Sequence, residues 1–294
     1  MSLWKNYHIA QSVEDALQAL TASQGDAQII AGGTDLLLDM QQGRHPPVHT
    51  LVDVTEIPEL RKLEIRNGEL FIGAGVPHRQ ICESSLVREH AQALAEASGL
   101  IGGPQVRNTA TLGGNVAHAL PAADGTIALM ALDAQAEVAK LSGRRRVPLS
   151  DLFLGPGKSS LRDELLVGFY INLRKKGEDS AFKRVMRPQG VAIAILNLGV
   201  WLRREENLVA DIRIAIGPSG PIPRRLLEAE NTFRGHALTE ELISHSIQAI
   251  LDEASFRTSR HRATKEYRQI MAGFLLKETL REAFKRSMIT GSNR

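Results

Sequence analysis

Two Gly-Gly turns constrain this chain more than any other feature: Ala31-Gly32-Gly33-Thr34-Asp35 and Thr111-Leu112-Gly113-Gly114-Asn115. Each follows a short apolar stretch and is flanked by Thr and by Asp or Asn. Glycine accepts positive φ and carries no Cβ, so successive backbone N–H groups can crowd together. Such a run makes a concavity that binds an anion without a lysine. Either pair alone marks only a turn. Together they read as two loops closing on one phosphorylated ligand.

The sequence around the first turn gives it a setting. Ser12 reads as an N-cap, with Asp15 at capping-box distance. Val13, Ala16, Leu17 and Leu20 follow at helical spacing. Gln28-Ile29-Ile30-Ala31 reads as a buried strand, Leu36-Leu37-Leu38 opens a helix, and Leu51-Val52-Asp53-Val54 is a second strand. The turn therefore lies at a helix N-terminus inside a β–loop–helix–β unit, an end that favours anions.

From Lys62 the texture changes. Asn67-Gly68, between Leu63-Glu64-Ile65 and Leu70-Phe71-Ile72, predicts a hairpin. Residues 89–98 read as a helix, and Ile101 to Asn108 as irregular chain rich in Gly and Pro. Residues 126–132 read as a helix, 136–139 as a strand, and 165–173 as an alternating strand. After the polar break Arg174-Lys175-Lys176-Gly177 come strands over 181–187, 193–202 and 209–216, then helices over 239–252 and 264–285. The expected division is 1–177, with subdomains 1–56 and 57–177, followed by 178–294.

Bulk properties exclude several classes. The 294 residues include one cysteine, Cys82, so neither an internal disulfide nor a thiolate-built metal site can form. No apolar run approaches the ~20 residues of a membrane span, and no secretory signal is visible; the cytoplasm is the expected compartment. Net charge is +3, and aromatics, at 4%, are not interleaved with the basic runs, which disfavours nucleic-acid binding.

Familiar catalytic motifs fail. Gly155-Pro156-Gly157-Lys158-Ser159 lacks the first P-loop glycine, since Leu152 stands there. Gly73-Ala74-Gly75 has His78 at the third glycine position of a dinucleotide fingerprint. Pro46 and Pro47 forbid a helix that would pair His45 with His49. No nucleophile elbow occurs. His118 reads as a ligand contact or a packing residue. Asp124 reads equally as an acceptor for a ribose hydroxyl or as the N-cap of the following helix. Lys183 either reaches a phosphate or lies on a solvated strand.

These residues resemble the FAD-binding medium subunit of the molybdenum hydroxylases, a family that includes xanthine, nicotinate and aerobic carbon monoxide dehydrogenases. The resemblance rests on Ala31 to Asp35 and on Ile101 to Asn115. Pro121-Ala122-Ala123-Asp124, Gly155 to Lys158, Asp163 to Leu166, Ala181-Phe182-Lys183 and Ala263 to Arg268 follow in the family order. It implies an α+β fold, with a two-part FAD region of the vanillyl-alcohol-oxidase type before a C-terminal three-stranded antiparallel sheet with helices. It implies that Gln28, Ile29, Ile30, Ala31, Gly32, Gly33, Thr34, Asp35 and Leu36 wrap the FAD pyrophosphate with Ala110, Thr111, Gly113, Gly114 and Asn115. Ile101 would add a contact, Asp124 would hold the ribose or adenine side, Leu165 and Leu166 would line a ring pocket, and Lys183 would touch the cofactor. No catalytic or metal-ligating residue is implied on this chain. A cysteine-rich 4Fe–4S insert, present in some members, is absent here.

The implied function is electron transfer from 2Fe–2S clusters of a small subunit, reduced by a molybdopterin large subunit, through FAD to NAD, a quinone or oxygen. A non-redox nucleotide-binding or scaffold module and a stand-alone flavin oxidoreductase are the alternatives.

Overall fold

The computed structural model describes residues 2–23, 26–187 and 193–289. It begins with β1 (Trp4–Ile9), α1 (Val13–Ala22), β2 (Ala27–Ile30), α2 (Leu36–Gln41) and β3 (Val48–Asp53). Ser12 caps α1, its hydroxyl accepting from the Asp15 N–H at 3.1 Å, and Val13, Ala16, Leu17 and Leu20 are buried. The strands form a parallel sheet in the order β1-β3-β2, with α1 and α2 as the long crossovers that parallel pairing requires. The β2–α2–β3 unit is the one the sequence predicts; β1 was not anticipated.

The second part opens with β4 (Leu63–Arg66) and β5 (Glu69–Gly73). Asn67 (φ 53°) and Gly68 (φ 80°) make the two-residue turn between them. Six short helices follow: α3 (His78–Glu83), α4 (Ser85–His90), α5 (Gln92–Leu100), α6 (Pro104–Thr109), α7 (Leu112–Ala117) and α8 (Asp124–Ala131). Two expectations are corrected here. The helix expected over 89–98 is broken at Ala91 (φ −144°, ψ 52°) into α4 and α5. The stretch expected to be irregular contains α6, because Pro104 sits at N1, where its missing N–H costs nothing.

Then come β6 (Gln135–Lys140), β7 (Gly143–Pro148), β8 (Phe153–Gly155), β9 (Lys158–Ser159) and β10 (Leu165–Asn172). The antiparallel sheet runs β4-β5-β10-β6-β7. Strand β10 is central and buried from Leu165 to Ile171, not half-exposed as simple alternation suggests. Leu165, Val167 and Tyr170 face the layer of α1 and β3, while Leu166, Phe169 and Ile171 face the helical layer. A bulge between Leu166 and Gly168 shifts the phase. Gly155 to Ser159 is the small β8–β9 hairpin and no helix follows it, in keeping with the rejected P-loop.

The C-terminal part is built on β11 (Glu178–Val185), β12 (Leu196–Glu205) and β13 (Leu208–Gly217), long antiparallel strands. The expected three-stranded sheet is enlarged by two dipeptide strands, β14 (Arg224–Arg225) and β15 (His236–Ala237), both on β13. Helices α9 (Leu227–Phe233), α10 (Glu240–Glu253) and α11 (Lys265–Ile289) pack on one face. Helices α5 and α8 pack on the other. All eight residues of α8 are buried.

Candidate functional site

The two Gly-Gly turns meet. A Cβ on Gly32 would lie 2.1 Å from the Thr109 carbonyl oxygen and 3.0 Å from Ala110 Cα. The first turn thus packs, backbone on backbone, against the segment that enters the second. Gly33 has φ +65°, a conformation that a side chain disfavours.

The backbone N–H groups of the two turns are used differently. In the second, Leu112 donates to the Val76 carbonyl (3.1 Å), Gly113 to Ala74 (2.8 Å) and Asn115 to Thr111 (3.0 Å). Gly114 N–H donates to the Thr111 hydroxyl at 3.1 Å, an N-cap for α7. The expectation that this run of N–H groups forms an anion nest is therefore corrected: they build α7 and dock it on the end of β5. Gly113 is glycine for packing, since a Cβ there would meet Ala74 Cβ at 2.6 Å.

In the first turn the reverse holds. Among the described residues, none accepts a hydrogen bond from the N–H of Gly32, Gly33, Thr34, Asp35 or Leu36; the first internal bond is Leu37 N–H to the Gly33 carbonyl, 3.0 Å. These five consecutive donors, on residues that are half-exposed save for the exposed Asp35, lie where the chain turns into α2. Asp35 starts that helix without capping it through its side chain. Water or an anion must satisfy these groups.

Behind this pair of turns stands His78. Its N–H donates to the Ala110 carbonyl, and its ring Nδ1 lies 3.3 Å from the Ser98 hydroxyl. Burial, then the positive charge of Arg107, pushes its pKa down to about 4. Arg107 itself ties the carbonyls of Ile101 (3.1 Å) and Gly102 (2.8 Å), so Ile101 is held at the entry to α6.

The other expected residues fall in three places. Gln28, Ile29 and Ile30 lead along β2 into the first turn, with Ile30 buried and Ala31 half-buried. Asn115 turns inward: its Oδ1 accepts from the Thr126 N–H at 3.1 Å and supplies the N-terminal cap that Ala123 lacks. His118 is the half-buried C-cap of α7. Leu165 and Leu166 do not line an open pocket. At 2% and 5% exposure they are covered on both faces of β10, Leu166 in the same cluster as Leu112 and Val116 of α7.

Asp124 is neither an N-cap nor a free acceptor. It is the first residue of α8, and its carboxylate accepts from Arg184 Nη1 and, at 2.6 Å, from Asn197 Nδ2. Burial raises its pKa, with Arg184 and Asn197 opposing. Asn197 also donates to the Ala122 carbonyl at 3.1 Å. The group ties the start of α8 to β11 and β12, and neither Arg184 nor Asn197 was anticipated from sequence. Lys183 lies on the opposite face of β11: Phe182 faces the FAD-region core, whereas Ala181 and Val185 face the C-terminal helices. Lys183 is half-buried and makes no side-chain bond or ion pair among the described residues.

Comparison with known proteins gives concordant likenesses. The model of the FAD binding domain in molybdopterin dehydrogenase matches residues 3–171, and that of the CO dehydrogenase flavoprotein C-terminal domain matches 180–283. The chain is 32% identical over 282 residues to the xanthine dehydrogenase FAD-binding subunit of Escherichia coli O157:H7, covering 95% of each. It is 32% identical to the nicotine 6-hydroxylase medium subunit of Paenarthrobacter nicotinovorans, covering 94% of this chain and 96% of that one. The structure of carbon monoxide dehydrogenase from Hydrogenophaga pseudoflava superposes with a TM-score of 0.91 at 30% identity, over 96% of this chain and 98% of that one.

Proposed function

The chain belongs to the family of FAD-binding domains in molybdopterin dehydrogenases, and from that premise we propose that it carries FAD as the electron-transfer subunit of a molybdenum-containing hydroxylase. The observation that carries the reading is the run of five unpartnered N–H groups from Gly32 to Leu36. A dinucleotide pyrophosphate is a doubly charged group that such a nest suits.

In this reading residues 28–36 hold the pyrophosphate and 110–115 brace that loop from behind, leaving exposed Gly114 as their point of contact. Ile101 completes the contacts, while Lys183, on the face of β11 shared with Ala181 and Val185, is left out of them. Asp124, Leu165 and Leu166 act indirectly, fixing α8 and the floor under α7. The FAD region is assigned to the vanillyl-alcohol-oxidase type on its two-part build, a parallel sheet followed by an antiparallel one. The proposed domain limits are 1–177 and 178–294.

FAD held by residues 28–36 would supply the redox chemistry, electron transfer between 2Fe–2S clusters of a small partner subunit and an external acceptor. The molybdopterin belongs to a large partner subunit, where substrate is oxidised. This chain's own residues bind and orient. They also keep the site dry on one side, because Leu112, Val116 and Leu166 close the layer behind it. The proposed compartment is the cytoplasm; among the described residues no helix is long and apolar enough to cross a membrane.

The test is a visible absorption spectrum of the purified chain with and without added FAD, followed by heat release of the chromophore. Flavin bands and about one FAD per chain are expected. A colourless chain that takes up no FAD, alone or with its partner subunits, overturns the proposal.

A further inference from the structure

Arg184, Arg225 and Arg286 each meet a carboxylate, from Asp124, Glu230 and Glu96 respectively. Among the described residues Arg268, in the first turn of α11, meets none. It is 2% exposed, its Nη1 donates to the Ile195 carbonyl, and its Nε has no partner among the described residues. The loop before α11 adds more positive charge. Thr258 Oγ1 accepts from the Lys265 N–H (3.0 Å), Ser259 N–H donates to the Ala263 carbonyl (2.9 Å) and Arg262 N–H to the Ser259 carbonyl (3.2 Å). Because Thr258 is tied to Lys265, these bonds fold the segment from Arg257 to Arg262 back onto the first turn of α11, where Arg268 lies; in keeping with that, burial and then the charges of Arg262 and Arg257 lower the pKa of Arg268 from the ordinary arginine value. Arg262 is lowered likewise by burial and by Arg257.

Among the described residues, Arg257, Arg260, Arg262, Lys265 and Arg268 join no ion pair. The adjacent acid, Glu266, is exposed, and its pKa is lowered by its own backbone N–H, then by Thr264 and by the charge of Lys265. A buried guanidinium without a counter-charge is costly. Gathering more cations beside it, at the positive end of a 25-residue helix, compounds that cost. The Lys265 and Tyr267 N–H groups are already taken by Thr258 and Thr264, so the donors left over are the guanidiniums.

We infer that Arg257, Arg262 and Arg268 form a binding site for a phosphate-class oxyanion, distinct from the loops assigned to FAD. Guanidinium forks bind phosphate oxygens in pairs, and an oxyanion here would satisfy Arg268 Nε and neutralise the three like charges together. The ligand is either free phosphate or the phosphate of a nucleotide.

The test uses the full chain saturated with FAD, so that the pyrophosphate loops do not compete. Melting temperature is followed against inorganic phosphate, and separately against ADP, with chloride holding ionic strength constant. The expected result is a saturable rise of about 2 °C or more, and in Arg257→Gln and Arg262→Gln, exposed or half-exposed positions that leave the fold intact, a loss of affinity of roughly tenfold or more. Phosphate acting as strongly as ADP assigns the site to the free oxyanion; ADP acting at much lower concentration assigns it to a nucleotide. No saturable rise with either probe, or equal rises in wild type and both variants, overturns the inference. Flavin content measured in the same samples keeps this outcome separate from the FAD reading.

Discussion

Replacing Gly32 with alanine tests the close approach of the two turns with one methyl group. The added Cβ would sit 2.1 Å from the Thr109 carbonyl oxygen and 2.7 Å from its carbon, where real Cβ atoms do not come under 3.0 Å. Both obstacles are backbone, so no side chain can swing aside, and the turns must part by about 0.9 Å. Overpacking of that kind costs about 1–3 kcal/mol of stability. The same shift rotates the donors from Gly32 to Leu36 relative to one another. Loss of one N–H bond to a phosphate oxygen costs about 1.5–3 kcal/mol, which is roughly a ten- to hundredfold rise in Kd. Flavin fluorescence quenching on titration with FAD gives the Kd, and the melting temperature without FAD gives the fold. A folded Gly32→Ala variant that binds FAD with wild-type affinity refutes the reasoning, because the pyrophosphate loop would then tolerate what its geometry forbids.

Gly114→Ala is the complementary change: its Cβ meets only the Thr111 hydroxyl, at 3.2 Å. The melting temperature should hold or rise, since alanine favours a helix by up to ~1 kcal/mol, while FAD affinity falls about tenfold. Unchanged affinity would remove the second turn from cofactor contact. His78 gives the pH dependence. Its folded pKa of about 4 lies below the ordinary 6.5, so protonation favours unfolding. This contribution is full well above pH 6.5 and is lost as pH falls toward 4, with about 2 kcal/mol of it gone by pH 5. Urea midpoints from pH 8 to 5 should show a shallower slope for His78→Gln, and an identical slope would refute the assignment. Asp124→Ala strands Arg184 in a site where the two side chains are 6% and 7% exposed. A loss of about 3–5 kcal/mol is expected in urea unfolding, and a loss below about 1 kcal/mol would show that the clamp is dispensable.

Local signals were legible in the sequence. Asn67-Gly68 needs only its own two positive φ values to make a hairpin, and Ser12 needs only the N–H three residues on. The Gly-Gly turns were legible as a pair for the same reason. What one of them does with its N–H groups was not, because the carbonyls that claim Leu112 and Gly113 belong to Val76 and Ala74, far off in the chain. Strand β1 was missed because it is an edge strand, mostly exposed and parallel to a partner over forty residues away, so it carries no burial periodicity. The role of Asp124 was hidden because both of its donors, Arg184 and Asn197, come from the far sheet. The side of β11 on which Lys183 falls depends on which face meets α8, and that is a property of the packed pair.

Helix α8 is buried on every side, apolar from Ile127 to Ala131, and therefore needs cover all round. Helices α5 and α7 supply part of that cover, and strands β12 and β13 supply another part. Gly199 lets the strand come close, since a Cβ there would stand 3.1 Å from that of Ala131. The chain is therefore not a pair of interchangeable modules. A C-terminal half grafted from a relative would have to bring a matching imprint of α8, and a cut between β10 and β11 would expose one apolar flank on each piece. Substitutions along that seam are expected to change in concert, so recombination among relatives is best attempted with whole chains.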